Sequence, residues 1–209
     1  MPAYRVNGKN VLFIHIPKTG GTSVEDVLSA YSRPSFHGGG DRLVRQYRHW
    51  PVLERHIPLQ HFHGELLSRF FAEGFFDFVF MVVRDPVARL VSEYSYSRHL
   101  GRPDGRLGFS AWSRLMLAIA ARAPAFRSNH FRPQSDFLCL GARVYRFEDG
   151  LDSIVRDVCT RIGVPAPETL PHARRSSHEL AAVGEASLAR IARFYEADYR
   201  QFGYAIQPH

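Results

Sequence analysis

The sequence is short of the features that mark several protein classes. It has two cysteines, Cys139 and Cys159, in 209 residues. That is no disulfide framework, and unpaired buried thiols are the expectation. No apolar run approaches the ~20 residues that cross a bilayer, and the first ten residues hold no signal-peptide core. A soluble, cytoplasmic protein is expected. Repeats and low-complexity tracts are missing, as are well-spaced cysteine or aspartate ligands beside the histidines, so no metal is expected. The net charge is +7 and the pI about 9.8. Yet no basic run exceeds two residues, and the arginines are scattered among apolar segments. This argues against nucleic acid and for a small, multiply charged anion or an acidic glycan. Hydrophobic residues at 45% against 22% charged fit one globular domain, residues 1–209, with a sizeable core.

The most informative stretch is residues 11–28. Val11-Leu12-Phe13-Ile14-His15-Ile16 is apolar and β-branched, and reads as a buried strand. Pro17 ends it. Lys18-Thr19-Gly20-Gly21-Thr22-Ser23 forms a small-residue turn, after which Val24, Val27 and Leu28 have the spacing of a helix face. Thr22 or Ser23 is expected to cap that helix, with Glu25 and Asp26 in its first turn. Strand, glycine loop and helix together cradle an anion: Gly20 and Gly21 allow positive φ and close approach, and the first helical N–H groups point outward. Lys18 adds a mobile charge, and Thr19, Thr22 and Ser23 add hydroxyls. The lysine precedes the glycines, which is the wrong order for an ATP-binding Walker loop.

A second anion site is expected at the end of residues 75–83, the most apolar strand candidate, with the continuous run of a central parallel strand. Arg84-Asp85-Pro86 follows, then a helix over 87–94 with Asp85 as N-cap and Pro86 in the first turn. Arg84 thus stands where open α/β sheets bind ligands, with Ser92 two turns into the helix. Between the two sites lie His61 and His63, after a short extended segment and before a helix over 65–71. Two apart on a strand, they would face opposite ways, so one is expected to face a site. Residues 31–50, with Gly38, Gly39 and Gly40, read as a substrate-facing loop, and 98–108 as another loop. A helix is expected over 110–122, then the run Asn129-His130-Phe131-Arg132-Pro133-Gln134. A strand over 142–147 leads to a helix over 151–162 that Gly163 ends. Residues 170–178 form a basic loop, and a helix over 187–202 closes the chain. Alternating strands and helices predict an α/β fold with a central parallel sheet flanked by helices.

Pro17-Lys18-Thr19-Gly20-Gly21-Thr22-Ser23 resembles the 5′-phosphosulfate loop of sulfotransferases that use 3′-phosphoadenosine 5′-phosphosulfate (PAPS). Starting His-Ile-Pro-Lys-Thr-Gly-Gly-Thr, it is most similar to the carbohydrate O-sulfotransferase branch, which includes the heparan sulfate 2-O- and 6-O-sulfotransferases. Arg84-Asp85-Pro86 followed by Arg89, Ser92 and Tyr94 resembles the family's 3′-phosphate motif, and Asn129 to Gln134 resembles a further run of that branch. The resemblance implies a P-loop-like sulfotransferase fold and PAPS as co-substrate without a metal. It implies Pro17 to Ser23 around the 5′-phosphosulfate, Arg84 and Ser92 on the 3′-phosphate, and Arg175 and Ser176 in a late loop over the nucleotide. Lys18 would stabilise the leaving phosphate, and His61 or His63 would take the acceptor's proton, a task suited to a group titrating near neutrality. His130 and Arg132 are candidates for holding an acidic or sugar acceptor. Animal Golgi relatives carry a membrane anchor that is missing here, which implies a bacterial-type protein. The competing readings are a P-loop-type kinase and a non-catalytic module that binds anionic glycans.

Overall fold

The computed structural model describes residues 2–36, 57–170 and 183–205. Four strands form one sheet in the order β1 (Ala3–Val6), β2 (Lys9–Ile14), β3 (Phe78–Val83) and β4 (Arg143–Arg146). β2, β3 and β4 run parallel, as expected. β1 pairs antiparallel with β2, so the sheet is mixed at that edge. The sequence reading had no strand there. The signal was the dipeptide Asn7-Gly8, at φ 49° and 78°, the two left-handed residues that a tight hairpin turn requires.

Both sheet faces are covered. Val11, Phe13, Phe80 and Val82 point to one side, where α1 (Gly21–Ser29) and α5 (Leu151–Ile162) pack. Leu12, Ile14, Met81 and Val83 point to the other, against α2 (Gly64–Phe70), α3 (Pro86–His99), α4 (Phe109–Arg122), α6 (Glu185–Phe194) and α7 (Glu196–Phe202). Alternate residues of β2 and β3 thus enter two cores, which is why residues 11–14 of β2 and the whole of β3 are apolar.

Several expectations need correction. The helix after the glycine loop starts at Gly21, with Gly20 (φ 83°) as its N-cap and no side-chain cap from Thr22 or Ser23. The left-handed glycine turns the chain directly into the helix, which leaves Glu25 and Asp26 beyond the first turn. The segment ending at His61 is a short 3-10 turn, Leu59–His61, rather than a strand. The C-terminal helix is two helices, α6 and α7, broken at Tyr195 (φ −103°, ψ 24°). Most of the 31–50 loop, including Gly38 to Gly40, lies outside the described residues. Other signals held: Asp85 caps α3 by accepting from the Ala88 N–H at 2.8 Å, and Gly163 ends α5 at φ 78°. Cys139 and Cys159 are both free thiols, and burial pushes that of Cys139 up to about 11.

Candidate active site

The glycine loop leaves β2 at its carboxyl end and is fixed from inside. Pro17 is buried. Thr19 is fully buried, its hydroxyl donating to the Ile16 carbonyl at 2.9 Å; it shapes the loop from within. Ser23 is buried and its N–H bonds the Gly20 carbonyl, while Thr22 is exposed on the first turn. The two glycines answer different demands. Gly20 needs its left-handed backbone, and a Cβ there would meet Leu151 at 2.8 Å. Gly21 lies against the His15 imidazole, where a Cβ would fall 2.5 Å from Nε2. Lys18 is itself left-handed (φ 71°), a strained conformation for a residue with a side chain. Its ammonium sits 4.0 Å from the centre of the Tyr96 ring.

Arg84 follows β3 directly. Gln134 brackets its backbone, accepting from the Arg84 N–H at 2.9 Å and donating to its carbonyl at 2.8 Å. The guanidinium lies over the Phe147 ring at 4.4 Å and donates from Nη1 to the Lys18 carbonyl at 3.3 Å. Its Nε is buried with no hydrogen-bond partner. Burial is the main influence on this group and lowers its pKa, against the opposing carboxylates of Glu148 and Asp85. A partly desolvated guanidinium with its Nε–H unpaired is poised for an anion. Ser92 is half-buried in α3.

The histidines form a row that the sequence did not reveal. His15, whose Nδ1 bonds the Glu25 carboxylate in the interior, meets His61 edge-on with ring centres 5.3 Å apart. His61 meets His130 edge-on at 5.2 Å. His130 Nδ1 donates to Glu93 Oε2 at 2.8 Å, and its ring stacks on Tyr96. His61 is buried, its Nδ1 donating to the Ser128 carbonyl at 3.0 Å and its Nε2 facing the Gln60 amide at 3.3 Å. Burial first, then the neighbouring His15 and His130, lower its pKa to about 2. His63 is buried at the residue preceding α2. Glu93 is fully buried. Burial pushes its carboxyl up, but the hydrogen bond and electrostatic influence of His130, with the nearby Lys18 and Arg102, outweigh this and hold it low, hence ionised.

The segment carrying His130 is held by nearly every residue around it. Arg127, Ser128 and Asn129 take φ of 50°, 55° and 67° in succession, a left-handed turn costing roughly 1–2 kcal/mol per residue. Asp104 anchors it, accepting from Arg127 Nη2 and Trp112 Nε1 at 2.6 Å each and from Ser97 at 2.8 Å. The Asn129 amide donates to the His61 carbonyl at 2.8 Å. Buried Arg89 donates to three carbonyls, those of Pro17, His130 and Arg132, at 3.0, 3.0 and 2.9 Å, and so couples the glycine loop to the His130 segment. Asp198 receives the backbone N–H groups of Gln134 and Ser135. Arg132 donates from Nε to Asn129 Oδ1 at 2.9 Å and from Nη1 to Asp136 Oδ2 at 3.3 Å.

The structure therefore brings Lys18, the glycine loop, Arg84, His61 and His130 together at the carboxyl ends of the central strands β2 and β3. Arg175 and Ser176 lie outside the described residues. Sequence reading missed Glu93 and Tyr96, and it placed His15 and Arg89 within motifs without giving either a role. For Arg89, Glu93 and Tyr96, the signal was their spacing of four and three along α3, which sets them on one helical face. Among the described residues no three His, Cys, Asp or Glu side chains are grouped to hold a metal, and no helix is long and apolar enough to cross a membrane.

A protein-family model described as "Sulfotransferase family" matches residues 3–205. No curated protein matches the sequence. Among solved structures, a sulfotransferase from Alicyclobacillus acidocaldarius matches at 15% identity over 91% of this chain and 92% of that one, with a TM-score of 0.46.

Proposed function

The chain belongs to the sulfotransferase family, and from that premise we propose that it takes a sulfuryl group from PAPS and delivers it to a hydroxyl of a sugar or glycan-like acceptor. The observation that carries the donor assignment is Arg84. Its Nε is buried without a partner while its Nη1 reaches the carbonyl of Lys18. A guanidinium wanting an anion is thus tied to a loop whose backbone offers N–H groups to another. A donor with phosphates at both the 3′ and 5′ positions of one adenosine satisfies both. Ser92 adds a hydroxyl on the 3′ side.

Lys18 and the N–H groups from Gly20 to Thr22 neutralise the charge that grows on the 5′-phosphate as the sulfur leaves it. Preorganised donors of this kind are typically worth a few kcal/mol each. An imidazole of the row that holds His61 takes the acceptor's proton; the sequence pointed to His61 or His63. The carbohydrate acceptor rests on the motif resemblance and on the scattered basic residues. A P-loop kinase would need a magnesium-binding aspartate, and Asp85, at the strand end, serves the α3 N-terminus instead. One domain, 1–209, carries the activity, and a cytoplasmic location goes with it.

Isothermal titration with 3′-phosphoadenosine 5′-phosphate, beside ATP with magnesium, tests the donor site. Binding of the first and not the second is expected; the reverse would favour the kinase. Transfer of radiolabelled sulfate from PAPS to a glycan panel tests the acceptor class, and its failure with every glycan, despite tight nucleotide binding, would favour a binding module.

A further inference from the structure

We infer that His130, oriented by Glu93, is the base that removes the acceptor's proton; the inference rests on reading the site as PAPS-dependent. Glu93 Oε2 lies 2.8 Å from His130 Nδ1. An ionised carboxylate only accepts, so the proton of the neutral imidazole sits on Nδ1 and the lone pair on Nε2. The exposures suit the division of labour: the Glu93 side chain is 1% exposed and that of His130 16%. The carboxylate is sealed in, and the imidazole reaches the surface.

Position points the same way. Glu93 and Tyr96 are three apart on α3, and the Tyr96 ring both stacks on His130, with centres 6.4 Å apart, and carries the Lys18 ammonium 4.0 Å from its centre. One aromatic side chain therefore sets the spacing between the imidazole and the lysine. His61 is the poorer candidate on geometry alone, since Ser128 and Gln60 engage its two ring nitrogens. Its low basicity agrees. Three consecutive left-handed residues immediately before His130 place strain where the ring is delivered, and such strain collects where a side chain must be held for use.

The step balances. The acceptor O–H bond breaks and its proton passes to His130 Nε2. The oxygen's electron pair forms the new bond to sulfur, and the bond from sulfur to the 5′-phosphate oxygen breaks, its pair remaining on the phosphate beside Lys18. The imidazolium rests against the Glu93 carboxylate until it returns the proton to water. His130 is the catalytic residue and Glu93 a positioning residue.

His130→Asn keeps a donor toward Glu93 and removes Nε2. Its affinity for 3′-phosphoadenosine 5′-phosphate is expected to stay that of the wild type, while PAPS turnover, with water as acceptor, falls ~100-fold or more, the usual scale of general-base catalysis. In the unmodified protein, long-range 1H–15N NMR is expected to give the Nδ1–H tautomer for His130. Glu93→Gln should shift it toward Nε2–H and lower kcat without raising KM for PAPS. Undiminished turnover in His130→Asn with intact nucleotide affinity would move the base elsewhere and leave the donor reading standing. An Nε2–H tautomer in the wild type would overturn the inference even if the variant failed to fold. A wild type that does not bind the nucleotide would remove the donor reading, and this base with it.

Discussion

Gly21 and His15 are in direct contact: a Cβ on the glycine would lie 2.5 Å from the imidazole Nε2 and 2.7 Å from two ring carbons. Behind the ring, Glu25 bonds Nδ1, so the imidazole cannot swing aside without breaking a buried hydrogen bond. The second glycine of the loop is therefore a packing requirement, made by a histidine at the end of β2.

That contact makes a specific substitution informative. By helix propensity alone, Gly21→Ala should stabilise the first turn of α1 by about 0.5–1 kcal/mol. The clash should reverse the sign and leave the protein about 1–3 kcal/mol less stable, as overpacked cores are. Urea denaturation measures the difference. A variant as stable as the wild type would mean that the ring yields freely.

Lys18 should matter to the rate more than to nucleotide binding. Its ammonium is held over Tyr96, and in the proposed reaction it meets the leaving phosphate as charge develops. Lys18→Ala should lower PAPS turnover roughly 100-fold, the scale of losing one oxyanion donor. Wild-type turnover in the variant would remove Lys18 from the mechanism.

Arg84 should matter in the opposite way, because the 3′-phosphate does not react. Arg84→Ala should weaken 3′-phosphoadenosine 5′-phosphate by roughly tenfold to a hundredfold, as expected for losing a charge-assisted hydrogen bond. It should also abolish the preference for that nucleotide over AMP, which lacks the 3′-phosphate. Calorimetry on both nucleotides reads this directly, and a preserved preference would place the 3′ site elsewhere.

Much of this architecture was legible in the sequence because it is local. The apolar run of β3, the Asp85-Pro86 helix start and the Gly163 stop each depend on a few adjacent residues, and each formed where expected. What was not legible depends on residues far apart in the chain. His15, His61 and His130 are separated by 46 and 69 positions, and long-range bonds bring their segments together: from Asn129 to the His61 carbonyl, and from Arg89 to the carbonyls of Pro17 and His130. Glu93 looks like a solvated helix residue until Arg102, Lys18 and His130 surround it. In the Asn129 to Gln134 run, the sequence offers His130 and Arg132 as acceptor contacts, or a purely structural loop. The left-handed turn that leads into it cannot be foreseen, since Arg127 and Ser128 are not residues that favour positive φ. β1 is the exception, for Asn7-Gly8 announced the hairpin.

The buried His61 should make the protein sensitive to mild acid. Its pKa in the folded state is lowered to about 2, by burial first and then by His15 and His130, against about 6.5 in an unfolded chain. Above pH 6.5 the ring is neutral in both states, and stability is unaffected. Below that, the unfolded chain takes up a proton that the folded protein refuses. Stability then falls with decreasing pH, by about 1.4 kcal/mol per unit from this residue alone, until the folded-state pKa is reached. Carboxylates titrate mostly below pH 5, so urea midpoints between pH 7.5 and 5.5 isolate the histidines. The wild type should lose stability across that window, and His61→Asn should lose less, because its residue 61 binds no proton in either state. Equal slopes would mean that His61 is protonated inside the folded protein. A charged imidazole would then stand between His15 and His130, and the row would need a different electrostatic account.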